Sequence, residues 1–268
     1  MPLPPSNAAE LLQNTTAFLI DLDGTIYLGS RRLPGAQEFI QRLRATKRRF
    51  LFLTNNPSKD AREYGDKLRR LGIEAGERDI FTSGMATVGF LLKKGPARRV
   101  FLLGTPSLER EFTGAGFVLT EDAPDYVVLA FDTTLTYAKI EKAAHLLRAG
   151  VEFIATNPDL VCPTERGPIP DCGSFAAMFK AATGREPRVI GKPNREMAQA
   201  ALDLLGARPE QSAMVGDRLY TDMRMAKETG MKAILVLSGE AREADIPASS
   251  WKPDLVLPSV KDLAELLK

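Results

Sequence analysis

Short apolar runs alternate along the chain with amphipathic stretches. The apolar runs predict buried strands, whereas apolar residues spaced three and four positions apart predict helices. The predicted strands span 17–20, 50–53, 100–103, 126–130, 153–155, 189–190, 213–215, 233–237 and 255–257. The predicted helices span 35–44, 58–71, 84–94, 106–115, 137–148, 173–182, 194–206, 222–229 and 260–267. This alternation predicts an α/β fold with a mostly parallel sheet that is covered on both faces.

Turn and cap residues set the ends of several of these segments. Ser58 is predicted to be the N-cap of the helix 58–71, and Gly72 is predicted to end it. The segment 157–172 is rich in proline and other turn residues, so it is predicted to be a long loop without regular structure.

Polar residues directly follow four of the predicted strands. In a parallel sheet covered by helices, the functional site lies at the carboxyl ends of the strands. Each polar cluster alone is typical of a turn, a helix cap or a surface loop, but their joint position at strand ends favours a catalytic site. The clusters are Asp21 with Asp23, Thr54-Asn55-Asn56, Lys192, and Asp217 with Asp222.

The segment Asp21-Leu22-Asp23-Gly24-Thr25 places two carboxylates two residues apart after a buried strand. Alternate side chains of an extended chain share a face. A carboxylate in the position of Asp21 can attack phosphorus and form an acyl phosphate. Asp23 can then protonate the departing alkoxide and later deprotonate the water that resolves the intermediate. Gly24 allows a tight turn, and its backbone N–H can approach the phosphoryl oxygens.

An anionic nucleophile and an anionic phosphate repel each other, so this chemistry requires cations. Asp21 and Asp217 supply the hard oxygen ligands that Mg²⁺ prefers. Lys192 adds a positive charge beside the phosphoryl group, and the hydroxyl of Thr54 can donate a hydrogen bond to it. Asp222 is predicted to hold the waters of the metal or to orient Lys192.

Composition narrows the alternatives. The chain has 36 Lys and Arg against 34 Asp and Glu, and this balance gives no reason to expect nucleic acid or a membrane as partner. No apolar run approaches the roughly 20 residues that span a bilayer. The N-terminus lacks the pattern of a signal peptide, so the expected location is the cytoplasm. A single histidine, His145, excludes a multi-histidine zinc site and is predicted to lie on or near the surface of a helix. Cys162 and Cys172 are predicted to be free thiols.

The four polar clusters resemble the four motifs of the haloacid dehalogenase (HAD) superfamily, and more narrowly those of its NagD-like branch, which includes 4-nitrophenyl phosphatases. The matching segments are Asp21-Leu22-Asp23-Gly24-Thr25, Leu53-Thr54-Asn55-Asn56, Gly191-Lys192-Pro193 and Gly216-Asp217-Arg218-Leu219-Tyr220-Thr221-Asp222. The resemblance implies a Rossmann-like core formed by residues 1–96 and 187–268. It also implies an inserted C2-type α/β cap domain formed by residues 97–186.

The resemblance also implies roles for individual residues. Asp21 corresponds to the nucleophile and Asp23 to the general acid and base. The Mg²⁺ ligands implied are Asp21, the backbone carbonyl of Asp23, and Asp217. Thr54 and Lys192 correspond to the phosphate-binding pair, and Asn55 to the residue that positions the substrate or the acid–base loop. The implied partner is a small phosphorylated metabolite, and members of the branch often form a homodimer through the cap.

A loop of the cap also resembles the branch and is expected to set substrate specificity. Many members of the branch carry Gly-small-Gly where this chain has Asp171-Cys172-Gly173. The candidate specificity residues of this loop are Asn157, Asp159, Asp171, Cys172 and Gly173.

The hypothesis is therefore a Mg²⁺-dependent phosphatase that acts through an aspartyl phosphate on a sugar phosphate, phosphoglycolate, a nucleotide or an aryl phosphate. One alternative is a phosphotransferase or mutase on the same core, which would pass the phosphoryl group to another hydroxyl. A second alternative is a non-catalytic phospho-acceptor protein, although such receiver-like proteins are usually about half this length and lack an insertion of this size.

Overall fold

The structure, a computed structural model, describes residues 5–164 and 166–267. The strands are β1 Ala17–Asp21, β2 Tyr27–Leu28, β3 Arg31–Arg32, β4 Arg49–Thr54, β5 Ile80–Thr82, β6 Arg99–Leu103, β7 Val118–Leu119, β8 Tyr126–Leu129, β9 Glu152–Ala155, β10 Val161–Cys162, β11 Ile169–Pro170, β12 Arg188–Val189, β13 Ser212–Gly216, β14 Lys232–Val236 and β15 Leu255–Leu257. The α-helices are α1 Pro5–Gln13, α2 Ala36–Ala45, α3 Ala61–Arg70, α4 Ser83–Lys94, α5 Pro106–Gly114, α6 Tyr137–Arg148, α7 Cys172–Thr183, α8 Arg195–Leu205, α9 Arg224–Thr229 and α10 Val260–Leu266.

The described chain divides into two compact units, of which the first lies within residues 1–54, 61–81 and 198–268. Its sheet has the strand order β15-β14-β13-β1-β4-β5. The pairs from β15 through β4 are all parallel. Central strands β1 and β13 are buried along their whole length, because helices cover both faces of a parallel sheet. The core includes Phe18 of β1 and Phe39 of α2, whose rings meet edge to face at 6.2 Å.

The second unit comprises residues 55–60 and 82–197. Its sheet has the order β12-β9-β8-β6-β7, and every pair in it is parallel. Apolar side chains of β6, β8 and β9 pack with those of α6 and α7, among them Phe153 and Phe179 in edge-to-face contact. Residues 55–60, 82–96 and 187–197 belong to this unit, whereas the sequence places them in the core domain. The predicted domain boundaries stay a prediction.

The structure confirms the α/β class and the mostly parallel sheets. The predicted strand 255–257 and helix 137–148 have the predicted bounds, and most other elements agree within one or two residues. The start of α3 was predicted wrongly. The backbone N–H of Ser58 donates to Oδ1 of Asn56 at 2.9 Å, so Ser58 belongs to a side-chain-closed turn and the helix begins at Ala61.

The segment 157–172 contains regular structure, although its proline content predicts a loop without any. Strands β10 and β11 pair antiparallel inside it, with Val161 opposite Pro170 and Cys162 opposite Ile169. A pair of two-residue strands is too short to produce a recognisable alternation in the sequence. The same reason explains why β2, β3 and β7 were missed.

The helix predicted at 222–229 is also different in detail. A π-helical turn at Leu219–Met223 comes first, and α9 begins at Arg224. Such wide turns are rare and often occur at functional sites. This turn carries Asp222.

Three smaller expectations concern single residues and composition. Cys162 and Cys172 are not joined by a disulfide, as predicted. His145 is exposed on α6, also as predicted. Within residues 5–164 and 166–267, none of the helices has the length and apolar character needed to cross a membrane.

Candidate active site

Three aspartates meet at the carboxyl edge of the first unit's sheet. Asp21 ends β1, and Asp217 directly follows β13, which pairs with β1 so that Ile20 lies opposite Val215. Asp21 therefore lies level with Gly216, and Asp217 follows one residue later at the same edge of the sheet. Asp222 reaches this position from the π-helical turn. One carboxylate oxygen from each of Asp21, Asp217 and Asp222 lies within 4.8 Å of the others, and all three residues are buried.

Glycines make room for these carboxylates. Gly24 has φ +86°, a conformation that residues with a side chain rarely adopt. A Cβ atom on Gly24 or on Gly239 would clash with the carboxyl group of Asp217, and one on Gly216 would clash with that of Asp222. The close approach of backbone and carboxylate therefore requires glycine at these positions.

The carboxyl group of Asp217 is only half satisfied by the protein. Its Oδ2 accepts a hydrogen bond of 2.6 Å from the backbone N–H of Glu240, but its buried Oδ1 has no hydrogen-bond partner among the described residues. Burial, together with the charges of Asp21 and Asp222, raises the pKa of Asp217 well above its ordinary value. A buried polar atom without a partner costs free energy, and so does a cluster of like charges.

A divalent cation would satisfy both the orphaned oxygen and the clustered charge. Carboxylate oxygens are the hard ligands that Mg²⁺ prefers, and two carboxylates usually suffice because waters and substrate fill the other positions. The residues present therefore fit the predicted Mg²⁺ site at Asp21 and Asp217. Asp222 belongs to the same cluster, and its Oδ2 accepts a hydrogen bond from the backbone N–H of Arg218 at 3.1 Å.

Asp23 follows Asp21 by two residues and is half-buried. Its Oδ2 accepts a hydrogen bond of 3.2 Å from the hydroxyl of Tyr27. Burial raises the pKa of Asp23, while the charge of Lys67 acts in the opposite direction. A carboxyl with a raised pKa holds its proton more readily near neutral pH, which suits a general acid.

Thr54 occupies the last position of β4, on the other side of β1. Leu53 pairs with Asp21 in register, so Thr54 follows at the same sheet edge. Its side chain is buried. Asp21, Asp23, Thr54, Asp217 and Asp222 all belong to the first unit.

Asn55 and Lys192 lie together in the second unit. Oδ1 of Asn55 accepts from the backbone N–H of Lys192 at 2.8 Å, and its Nδ2 donates to the backbone carbonyl of Lys192 at 3.0 Å. Gly191 allows this contact, since a Cβ there would press against Oδ1 of Asn55 and clash with the carbonyl of Thr156. Lys192 is buried, with 3% of its surface exposed. The amide of Asn55 therefore fixes the backbone of Lys192 on both sides.

Two of the predicted specificity residues contact Asn55. Nδ2 of Asn157 donates to the backbone carbonyl of Asn55 at 2.8 Å, and Oδ2 of Asp159 accepts from Nδ2 of Asn55 at 3.1 Å. Ser83 also donates to the carbonyl of Asn55, at 2.7 Å. Asn55 therefore connects the start of the cap loop to Lys192.

The other three predicted specificity residues begin α7. Asp171 is the N-cap, and its side chain accepts from the backbone N–H of Cys172. The thiol of Cys172 lies in the core of the second unit and donates to the carbonyl of Leu129, and burial raises its pKa to about 12. Gly173 permits close packing, because a Cβ there would clash with the carbonyl of Pro158. These contacts give the three residues roles in holding the loop.

Sequence reasoning missed Tyr27, Lys67 and Glu240. Tyr27 follows the first motif by only two residues, so its position was a usable signal. Lys67 and the backbone of Glu240 gave no signal, because each lies on a segment that reaches the site only through the fold.

Comparison with known proteins gives matches over most of the chain. The profile of the haloacid dehalogenase-like hydrolases matches residues 18–118, and a second profile, HAD-hydrolase-like, matches residues 189–263. A relative, the dihydroxyacetone phosphatase of Corynebacterium glutamicum, is 36% identical over 249 residues, which are 93% of this chain and 90% of that protein.

Solved structures give the same result. The 4-nitrophenylphosphatase of Thermotoga maritima has a TM-score of 0.93 and 43% identity, over 96% of this chain and 99% of that one. The glycerol phosphate phosphatase of Mycobacterium tuberculosis, crystallised in complex with magnesium, has a TM-score of 0.88 and 34% identity, over 96% of this chain and 79% of that one.

Proposed function

Because this chain belongs to the haloacid dehalogenase-like hydrolases and its relatives are phosphatases, it is a phosphomonoester hydrolase, and we propose that it acts through an aspartyl phosphate on Asp21 with Mg²⁺ as cofactor. The observation that carries the proposal is the meeting of Asp21, Asp217 and Asp222, with an oxygen of Asp217 that the described residues leave unsatisfied. The second alternative, a non-catalytic phospho-acceptor protein, is set aside, because the relatives named above are enzymes.

In the first step, a carboxylate oxygen of Asp21 attacks phosphorus. The new bond joins this oxygen to phosphorus, and the ester bond between phosphorus and the alcohol oxygen breaks. Asp23 gives its proton to the departing oxygen, so that an alcohol leaves instead of an alkoxide. The raised pKa of Asp23 favours the protonated form that this step requires.

In the second step, a water attacks the phosphorus of the aspartyl phosphate. Asp23, now ionised, accepts a proton from this water as the new oxygen–phosphorus bond forms. The bond between phosphorus and Asp21 breaks, which frees inorganic phosphate and restores both aspartates.

The proposed ligands of the cation are Asp21, Asp217 and the backbone carbonyl of Asp23, with Asp222 beside them. A bound Mg²⁺ supplies positive charge that offsets the repulsion between carboxylate and phosphate. Lys192 is proposed to add a second positive charge to the phosphoryl group, and Thr54 a hydroxyl donor. Asn55 would then act by fixing the backbone of Lys192.

The proposed substrate is a small phosphomonoester. The relatives are named for dihydroxyacetone phosphate, 4-nitrophenyl phosphate and glycerol phosphate, which share only a phosphate on a small alcohol or phenol. Asn157 and Asp159 are the proposed specificity residues whose contacts with Asn55 couple them to the phosphate-binding residues.

Phosphate release from 4-nitrophenyl phosphate tests the proposal. The wild-type protein should release phosphate with Mg²⁺ and lose activity with a chelator. Asp21→Asn keeps the size of the side chain but removes the nucleophile, and we expect a loss of at least about 1,000-fold in kcat, since the covalent route is closed. An Asp21→Asn protein with full activity would refute the mechanism.

The same assay separates hydrolysis from phosphotransfer. A phosphatase releases free phosphate when water is the only acceptor, whereas a transferase or mutase needs an added hydroxyl compound. The homodimer implied by the resemblance stays a prediction, which sedimentation of the purified protein would test.

A further inference from the structure

The hydroxyl group of Tyr27 lies against the proposed general acid. It donates a 3.2 Å hydrogen bond to Oδ2 of Asp23, and the side chain of Tyr27 is fully buried. The hydroxyl of Tyr27 is the donor and Oδ2 of Asp23 the acceptor, and the contact is removed from water on the side of Tyr27. Oδ2 is thereby occupied, which leaves Oδ1 as the oxygen that would carry the transferred proton.

The backbone holds Tyr27 and Asp23 in a fixed relation. The N–H of Gly24 donates to the carbonyl of Tyr27 at 2.8 Å, and the N–H of Tyr27 donates to the carbonyl of Leu22 at 3.2 Å. Asp23 therefore sits inside a turn that is closed on both sides. With the backbone closed, the remaining freedom of the carboxyl group is rotation of its side chain, and the hydrogen bond from Tyr27 restricts that rotation.

The ring of Tyr27 is held in turn by Lys67. Nζ of Lys67, in the last turn of α3, lies 3.4 Å from the centre of the ring. An ammonium group at this distance is attracted to the face of an aromatic ring, and more strongly when both groups are removed from water. Tyr27 is buried and Lys67 half-buried, so the contact is shielded.

We propose that Tyr27 is the positioning residue of the general acid Asp23, and that Lys67 maintains the position of the Tyr27 ring. The inference rests on the proposed function, because it assigns Asp23 the proton transfer. Neither Tyr27 nor Lys67 needs to touch the substrate. Their effect is to keep the carboxyl group of Asp23 turned toward the departing oxygen.

This role has a specific kinetic consequence. The proton matters most when the leaving oxygen is basic, as in phenolate, and least when it is a stabilised anion, as in 4-nitrophenolate. Misplacing the acid should therefore slow phenyl phosphate much more than 4-nitrophenyl phosphate. The two substrates have nearly the same shape, so a general loss of structure or of phosphate binding would slow both alike.

The experiment measures kcat/KM with Mg²⁺ for both substrates, since this constant covers the steps up to departure of the phenol. Tyr27→Phe retains the ring and its contact with Lys67 but lacks the donor. We expect it to lower kcat/KM about 10-fold or more for phenyl phosphate and less than about 3-fold for 4-nitrophenyl phosphate, because general acid catalysis contributes about 100-fold or more when a proton is needed. Lys67→Met should also slow phenyl phosphate more than 4-nitrophenyl phosphate, but to a smaller degree. Lys67→Arg should restore the ratio of the two kcat/KM values to that of the wild type.

Controls come from the second unit. Tyr126 is a buried tyrosine with a lysine, Lys94, 5.5 Å from its ring centre. Tyr126→Phe and Lys94→Met should leave the ratio of the two kcat/KM values unchanged.

Each outcome decides a separate point. An equal loss on both substrates, or no loss on phenyl phosphate, in Tyr27→Phe overturns the role of Tyr27. Selectivity in Tyr27→Phe but not in Lys67→Met overturns the role of Lys67 alone. A wild-type protein that hydrolyses neither substrate refutes the proposed function itself.

Discussion

At the scale of single residues, Asp217 shows how function and stability oppose each other. Its carboxyl group is buried beside two other aspartates, and the described residues leave its Oδ1 without a partner. Burial raises its pKa because the ionised form is disfavoured in this position. Below the ordinary pKa of a carboxyl group, Asp217 is protonated in both the folded and the unfolded state, so it does not reduce the free energy of unfolding. As the pH rises through the raised pKa of the folded state, ionisation of Asp217 reduces that free energy. A protein without a cation is therefore destabilised at neutral pH by the group that would bind the cation.

Asp217→Asn should separate the two effects. Without divalent ions at neutral pH, we expect the variant to unfold at a higher temperature than the wild type, because the cost of ionisation is gone. Mg²⁺ at about 100 times its Kd should stabilise the wild type by about 2.7 kcal/mol and should not stabilise the variant. Thermal unfolding with and without Mg²⁺ measures both.

The control for this comparison is Asp122→Asn, which changes an exposed aspartate of the second unit in the same way. It should respond to Mg²⁺ like the wild type. A normal Mg²⁺ response in Asp217→Asn would show that Asp217 does not hold the ion.

At the scale of elements, α5 carries a half-buried acid, Glu111, that the proposed chemistry does not use. Oε1 of Glu111 has no hydrogen-bond partner among the described residues, and a Cβ on Gly84 of α4 would come within 2.9 Å of it. The carboxyl group therefore faces the helix that α5 packs against. The pKa of Glu111 is raised from 4.5 to about 7, mainly by burial and to a smaller extent by the charge of Asp60.

This raised pKa predicts a loss of stability with rising pH. The cost of ionising Glu111 is absent below pH 4.5 and complete above about pH 7. Glu111→Gln cannot ionise, so its free energy of unfolding relative to the wild type should increase between pH 5 and pH 8, by up to about 3 kcal/mol. Urea unfolding at both pH values measures the change.

Glu109→Gln, in the first turn of the same helix, is the matched control and should show no such pH dependence. If the difference between Glu111→Gln and the wild type were the same at both pH values, the burial argument would be wrong for this residue.

The elements that the sequence predicted well are those with long apolar runs or clear helical spacing. Examples are α6, whose bounds were predicted without error, and β1, which was one residue short. Two of the elements that were missed or misplaced have an identifiable cause. The start of α3 depends on a hydrogen bond between Ser58 and Asn56, and the hairpin of β10 and β11 has only two residues in each strand.

At the scale of the whole molecule, the topology assembles the acidic cluster from distant parts of the chain. The chain leaves the first unit after β4 and again after β5, and it returns within α8 before forming β13. Parallel pairing of β13 with β1 then places Asp217 beside Asp21. In a parallel sheet the carboxyl ends of the strands share one edge. The sequence could therefore assign positions 21 and 217, which both follow predicted strands, to one site. The contacts of Lys67 and Glu240 follow from packing and had no such rule.

The most direct test of the account is to find the phosphoryl group on the protein. Asp23→Asn retains Asp21 as nucleophile but lacks the base that activates water, and 4-nitrophenolate can leave without a proton. We expect this variant, mixed with 4-nitrophenyl phosphate and Mg²⁺ and quenched in acid, to carry one phosphoryl group on the peptide that contains Asp21, as read by mass spectrometry. Asp21→Asn should carry none. A phosphoryl group on another residue, or none in Asp23→Asn while the wild type turns over, would contradict the account.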